Sequence, residues 1–223
     1  MAISCGCKSN SNSSLHAIFF LIIILLFSTR ACCDDHQDAS KRSNCLESER
    51  IALLAIKSDL YNSDHWLSSW SGYDCCNWKG IACDNTTSHV IMLDVHYPYD
   101  PYASYPDDHL SYNNISGGIP LSMGNFSSLL YLDVSYNGLF GGIPDAFGKL
   151  TSLLLLDLSS NEFYGCIPYV LGNLVNLEEL YISDNNISCQ IPGNIGKLHN
   201  LRYFQASQNN LMGQIPMSLG DLC

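Results

Sequence analysis

The chain has 223 residues, with Lys+Arg 10 against Asp+Glu 21 and a formal net charge of -11. Polyanion binding needs clustered basic residues, so this balance argues against nucleic acid as a partner and against adsorption to anionic lipid. Hydrophobic residues make up 47% and charged residues 14%, enough for a substantial core and inconsistent with disorder throughout.

Eleven cysteines point to an oxidising compartment, and the N-terminus agrees. Lys8 precedes an eleven-residue apolar run, Ala17 to Phe27, followed by the small residues Ser28, Thr29 and Ala31. The run is shorter than the roughly 20 residues of a spanning helix. Residues 1–33 therefore read as a signal peptide, with a retained signal anchor as the alternative and cleavage after Ala31 or Cys33, and 34–44 read as a leader. Processing removes Lys8 and Arg30 but no acid, leaving 8 cations against 21 anions, or −13, and no membrane span.

Residues 45–88 read as a cap. Ile51, Leu54 and Ala55, with Leu53 and Leu60 beside them, form a helical stripe; Trp70 and Trp78 add bulk. Four cysteines here, Cys45, Cys75, Cys76 and Cys83, allow three pairings. Joining the neighbours Cys75 and Cys76 closes a strained ring, which leaves two. Zinc held by Cys75, Cys76, Cys83 and His89 lacks the C-x₂₋₄-C spacing of structural sites. His89 to Val95 supplies a first strand. Residues 97–109 follow, with four tyrosines, three prolines and three aspartates in thirteen positions. They read as an inserted loop.

From there the chain is periodic, giving an array over 89–223. Ile-Pro recurs at 119, 143, 167, 191 and 215, always 24 residues apart, in register with Gly124, Gly148, Gly172, Gly196 and Gly220. The glycines are expected where each coil turns. Asn113, Asn137, Asn161, Asn185 and Asn209 keep the same interval. Each Asn closes an L-x-x-L-x-L-x-x-N spacing, as in Leu153/Leu156/Leu158/Asn161. The alternation marks a short strand with one buried face, too small to stand alone, so copies must stack. An amide both donates and accepts, so a recurring Asn can satisfy backbone groups in a buried turn.

This spacing resembles the leucine-rich repeat family. Asn137-Gly-Leu-Phe-Gly-Gly-Ile-Pro144 is similar to its plant form, N-x-L-x-G-x-I-P. The strings C…ER-x-ALL-x-x-K, LSSW and DCC-x-W-x-G-x-x-C between Cys45 and Cys83 resemble the N-terminal cap of plant leucine-rich repeat receptors. The resemblance implies an α/β solenoid. A parallel β-sheet lines its concave side, with a second short sheet and a helical, disulfide-bonded cap. It also implies the pairs Cys45–Cys75 and Cys76–Cys83.

No enzyme motif is present: there is no G-x-S-x-G, H-E-x-x-H or phosphate-cradling glycine loop, and no cofactor is expected. The candidate binding residues lie between the buried strand positions: Tyr131, Asp133, Tyr136, Asp157, Glu179, Tyr181, Asp184, Tyr203 and Gln205. They vary from copy to copy, whereas Ser135, Ser159, Ser183 and Ser207 do not and read as scaffold. Sequons at Asn85, Asn114, Asn125 and Asn186 fall in turns or loop edges and are expected to carry glycans.

Seven or nine cysteines remain after processing. Cys223 is the candidate for the odd one, while Cys166 and Cys189 either pair or stay as buried thiols. The chain stops just before its next strand, which leaves Leu211, Ile215, Leu219 and Leu222 partly open. It reads as a truncated receptor-like protein or a short secreted relative.

Two functions fit the resemblance. One is an extracellular ectodomain that binds a peptide, protein or glycan and signals through a partner kinase. The other is a secreted inhibitor resembling polygalacturonase-inhibiting proteins. The inserted loop and the cap string favour the first.

Overall fold

A computed structural model describes residues 45–62, 65–96 and 113–222. The signal, leader, inserted loop and Cys223, and the side chains of Asn62, Asn113, Asn114, Asp221 and Leu222, lie outside the described residues.

The cap opens with helix α1, Glu47–Asp59, whose acidic first turn and Lys57 in the last turn complement its dipole. Its buried face is Ala52, Leu53 and Ile56, whereas Ile51 is 56% exposed. This corrects the sequence stripe by one residue. Both sets fit a 3.6-residue period, and the true face is disguised because it carries a buried acid, Glu49. The Glu49 carboxylate accepts a hydrogen bond from Val90 N at 2.7 Å and contacts His89 Nδ1 at 2.9 Å, joining helix to array. Trp70 and Trp78 stack with centroids 5.9 Å apart, and their indole N–H groups donate to Lys79 O and Ser71 O.

Two sheets run along the array. The first contains β2 (Ile81–Cys83), β3 (Val90–Asp94), β5 (Tyr131–Asp133), β7 (Leu155–Asp157), β9 (Glu179–Tyr181) and β11 (Tyr203–Gln205), in that spatial order. The second contains β1 (Tyr61–Asn62), β4 (Asn113–Gly117), β6 (Asn137–Gly141), β8 (Glu162–Gly165) and β10 (Asn186–Ile187). Neighbouring strands of the array are parallel, one per coil. The cap adds what the repeat spacing does not show: β1 and β2 pair antiparallel with β4 and β3, so each sheet begins on a cap strand. Gly80, at φ 79°, precedes β2 where an added Cβ would overlap the Asp94 carbonyl.

Leu93, Leu132, Leu156 and Leu180 stand opposite one another and are buried to 1% or less. Each fully buried side chain of this kind contributes about 1.5–3 kcal/mol relative to exposure. On the far side each coil returns through a short 3-10 segment entered by the proline of Ile-Pro, as at Pro144 before Asp145–Lys149. Gly124, Gly148, Gly172 and Gly196 sit in these segments at no left-handed φ. They are required by close approach rather than by a turn: a Cβ on Gly148 would lie 2.7 Å from Val170 Cβ of the next coil.

Candidate functional site

The scaffold of the site is the asparagine ladder. Asn161 Nδ2 donates to Val134 O, Leu158 O and Ser159 O at 3.0, 3.2 and 3.0 Å, and its Oδ1 accepts from Leu139 N at 3.0 Å. Asn185 and Asn209 repeat the pattern one and two coils on, accepting from Phe163 N and Ile187 N. Each amide thus ties its own turn to carbonyl and amide groups of the coil before. Asn137 makes the donor contacts, but its Oδ1 has no partner among the described residues. The β4–β6 pairing shifts register between Asn113 and Ser116, at the coil that would supply the missing N–H. The residue before each of these asparagines is left-handed: Tyr136, Ser160, Asp184 and Gln208 have φ of 54, 52, 56 and 52°.

With the turn fixed, strand register sets the outer face of the six-stranded sheet. One column is Met92, Tyr131, Leu155, Glu179 and Tyr203; the other is Asp94, Asp133, Asp157, Tyr181 and Gln205. The candidate residues Tyr131, Asp133, Asp157, Glu179, Tyr181, Tyr203 and Gln205 therefore share one face. Tyr136 and Asp184 lie beyond the strand ends.

Three carboxylates are stacked in the second column. Asp133 Oδ1 accepts from Ser135 N and Oγ at 2.9 and 2.7 Å, and Asp157 Oδ1 from Ser159 N and Oγ at 2.8 and 2.5 Å. In both, one oxygen braces the turn, so these aspartates serve scaffold and face together. Burial raises the Asp157 pKa, the Ser159 hydrogen bonds oppose it, and the Asp133 charge adds to the rise. His96 Nδ1 hydrogen-bonds Asp94 and lies 3.7 Å from Asp133 Oδ2, capping the column. Ligand atoms of Asp94, His96 and Asp133 fall within 4.8 Å of one another, the described cluster best suited to a cation. Further along, Tyr181 OH donates to Glu179 Oε2 at 2.7 Å, which pushes the phenol up to about 12.

Three disulfides occur among the described residues: Cys45–Cys75, Cys76–Cys83 and Cys166–Cys189. The first two engage every cysteine of the zinc reading. The third bridges adjacent coils, and Cys166 is exposed, which overturns the buried-thiol alternative for that pair. Asn85, Asn125 and Asn186 are exposed. Beside Asn85, the Asp84 carboxylate accepts from the hydroxyls and backbone N–H groups of Thr86 and Thr87, which lowers its pKa.

The model of the leucine rich repeat N-terminal domain matches residues 46–84, and that of the leucine rich repeat matches 128–150, 152–174, 176–198 and 200–222. The structure of the BIR3–SERK2 complex from Arabidopsis thaliana is 30% identical with a TM-score of 0.66, over 77% of this chain and 87% of that one. The chain belongs to the leucine-rich repeat family. The PEPR1–AtPEP1 structure is 31% identical with a TM-score of 0.68, over 79% of this chain and 23% of the other. Receptor-like protein EIX2 of Solanum lycopersicum is 53% identical over 53 residues, 23% of this chain. The leucine-rich repeat chain spans only 5% of the length of that relative. Its relatives include plant receptor-like proteins, and it shares the non-catalytic repeat fold of solved plant ectodomains such as that of BIR2. No helix among the described residues is long and apolar enough to cross a membrane.

Proposed function

We propose that the chain is part of an extracellular recognition ectodomain of a plant receptor-like protein, with the outer face of the six-stranded sheet as its ligand surface. The observation that carries this reading is the contrast within each coil. The ladder asparagines and the turn serines repeat, while the outward positions change along the array: Tyr131, Leu155, Glu179 and Tyr203 in one column, and Asp157, Tyr181 and Gln205 along the other. One oxygen of Asp133 and of Asp157 braces its turn serine, but the row of Asp94, Asp133 and Asp157 also sets like charges on neighbouring strands, which is destabilising unless a cation answers it. That row suits a cationic group of a peptide or protein ligand, with Tyr131 and Leu155 alongside for an apolar side chain. The BIR3–SERK2 and PEPR1–AtPEP1 structures support partners of this general kind.

The test is capture of synthetic peptides, with lysine, arginine or glutamate at varied positions, by the secreted full chain. Captured peptides should be rich in basic residues. The pair Asp133→Asn and Asp157→Asn, which keeps the Oδ1 acceptors, should weaken capture by about 10-fold per lost ion pair if each is worth roughly 1.4 kcal/mol. Capture that ignores both substitutions would overturn the surface assignment. Stoichiometric inhibition of a fungal polygalacturonase would favour the inhibitor function instead.

A further inference from the structure

Along the five-stranded sheet lies a groove of about 530 Å³ bordered by Phe140, Glu162, Tyr164, Asp184 and Asn186. Both of its aromatic rings are exposed, Phe140 at 48% and Tyr164 at 54%. Asn186 begins the sequon Asn186-Ile187-Ser188, and in the β8–β10 register it stands directly opposite Tyr164. Strands in a sheet are about 4.8 Å apart, so an atom attached to Asn186 starts within reach of that ring.

The amide is also oriented. Asn210, on the next coil, donates to Asn186 Oδ1. This turns the carbonyl edge toward the following coil, while Tyr164 lies in the preceding one. Glycan transfer joins Nδ2 to the anomeric carbon of a diphospholipid-linked oligosaccharide. The sugar–phosphate bond breaks, the lipid diphosphate leaves and the amide gives up a proton.

We infer that an N-glycan on Asn186 folds back into this groove, its first N-acetylglucosamine stacked on Tyr164 and directed toward Phe140. A pyranose offers an apolar C–H face to an aromatic ring and hydroxyls to acceptors around its rim. Two rings with the Glu162 and Asp184 carboxylates at their edges provide that combination. The glycan becomes part of the wall of the second sheet rather than a solvated attachment, and it closes this flank to other partners. The inference rests on passage through the secretory pathway, and mapping of the glycan separates failure of that premise from failure of the packing.

The experiment uses the full chain secreted from plant cells. Peptide mapping should find Asn186 glycosylated; an unmodified Asn186 beside a modified Asn85 would overturn the inference, and a chain modified at neither would overturn its secretory premise. Tyr164→Ala should lower the melting temperature by about 2–4 °C in the glycosylated chain. It should have no effect in the Asn186→Gln background, and Tyr164→Phe should have none in either. Trimming to a single N-acetylglucosamine should leave the melting temperature unchanged, and the N-acetyl methyl proton of that sugar should be shifted upfield by the ring. Equal effects of Tyr164→Ala in both backgrounds would refute the packing. So would Tyr164-dependent binding of free chitobiose to the glycosylated chain, because the groove would then be vacant.

Discussion

Asn161→Ala is the sharpest test of the ladder. The amide is 9% exposed, and its replacement strands Leu139 N in the preceding coil, while Val134 O loses one donor and keeps Asn137 Nδ2. Leu158 O and Ser159 O lose a donor as well. An unsatisfied buried group costs about 1–3 kcal/mol. With Leu139 N dominating, the loss should be about 1–3 kcal/mol. In a chain of this size that corresponds to a fall of roughly 2–12 °C in melting temperature. The comparison is Asn173→Ala, which removes an exposed amide of the same type from a 3-10 segment. Urea titration followed by circular dichroism gives both midpoints, and amide exchange locates the loss, which should centre on the coils flanking Asn161. Identical midpoints for the two variants would refute the ladder argument, because only one of them lies between coils.

Other consequences can be checked alongside. Removing Cys45–Cys75, whose partners are 30 residues apart, should cost about 3–4 kcal/mol, and removing Cys76–Cys83, 7 apart, about 2–3 kcal/mol; the reverse order in denaturant titration would contradict the loop-closure account. Gly148→Ala should destabilise by about 1–3 kcal/mol through its clash with Val170, while Gly220→Ala, with nothing within 4 Å, should be near neutral. Asp157→Asn should raise the melting temperature at neutral pH. A carboxyl whose pKa is raised on folding binds its proton more tightly in the native state, so its penalty is present above that pKa and fades as pH falls toward the ordinary value. An advantage that does not change with pH would refute burial as its cause.

What the sequence revealed and what it concealed have separate physical origins. The strand columns, the ladder and the Ile-Pro entry to each return segment are enforced once per coil, and a constraint applied several times in register leaves a visible period. The cap is built once. Tyr61–Asn62 pairs with Ser116 and Ile115, far away in the chain, and two residues carry no alternation to read. Glu49 looked like a solvent position because buried acids are rare, and only the distant Val90 N–H makes it acceptable there. The outward residues of the sheet could be counted off from the repeat. The contribution of Asp94 and His96 to the same face could not, since the inserted loop interrupts the spacing beside them. Cysteine parity alone could not decide the pairing of Cys166 with Cys189. The groove beside Asn186 depends on which residues stand opposite across β8 and β10, a register that the spacing of 24 does not announce.

The ladder has a further consequence for how such chains change length. Every coil takes hydrogen bonds from the one before and offers the same set to the one after, so a segment of 24 residues is an interchangeable cassette. Duplicating or excising a whole cassette, as unequal recombination between similar stretches would do, leaves each remaining junction chemically equivalent. It moves the outward columns by one rung. Loss of a single residue has no such neutrality, because it pulls one asparagine out of reach of its neighbours. Length in this architecture is therefore quantised, and the ligand surface can be extended in whole steps without renegotiating the core.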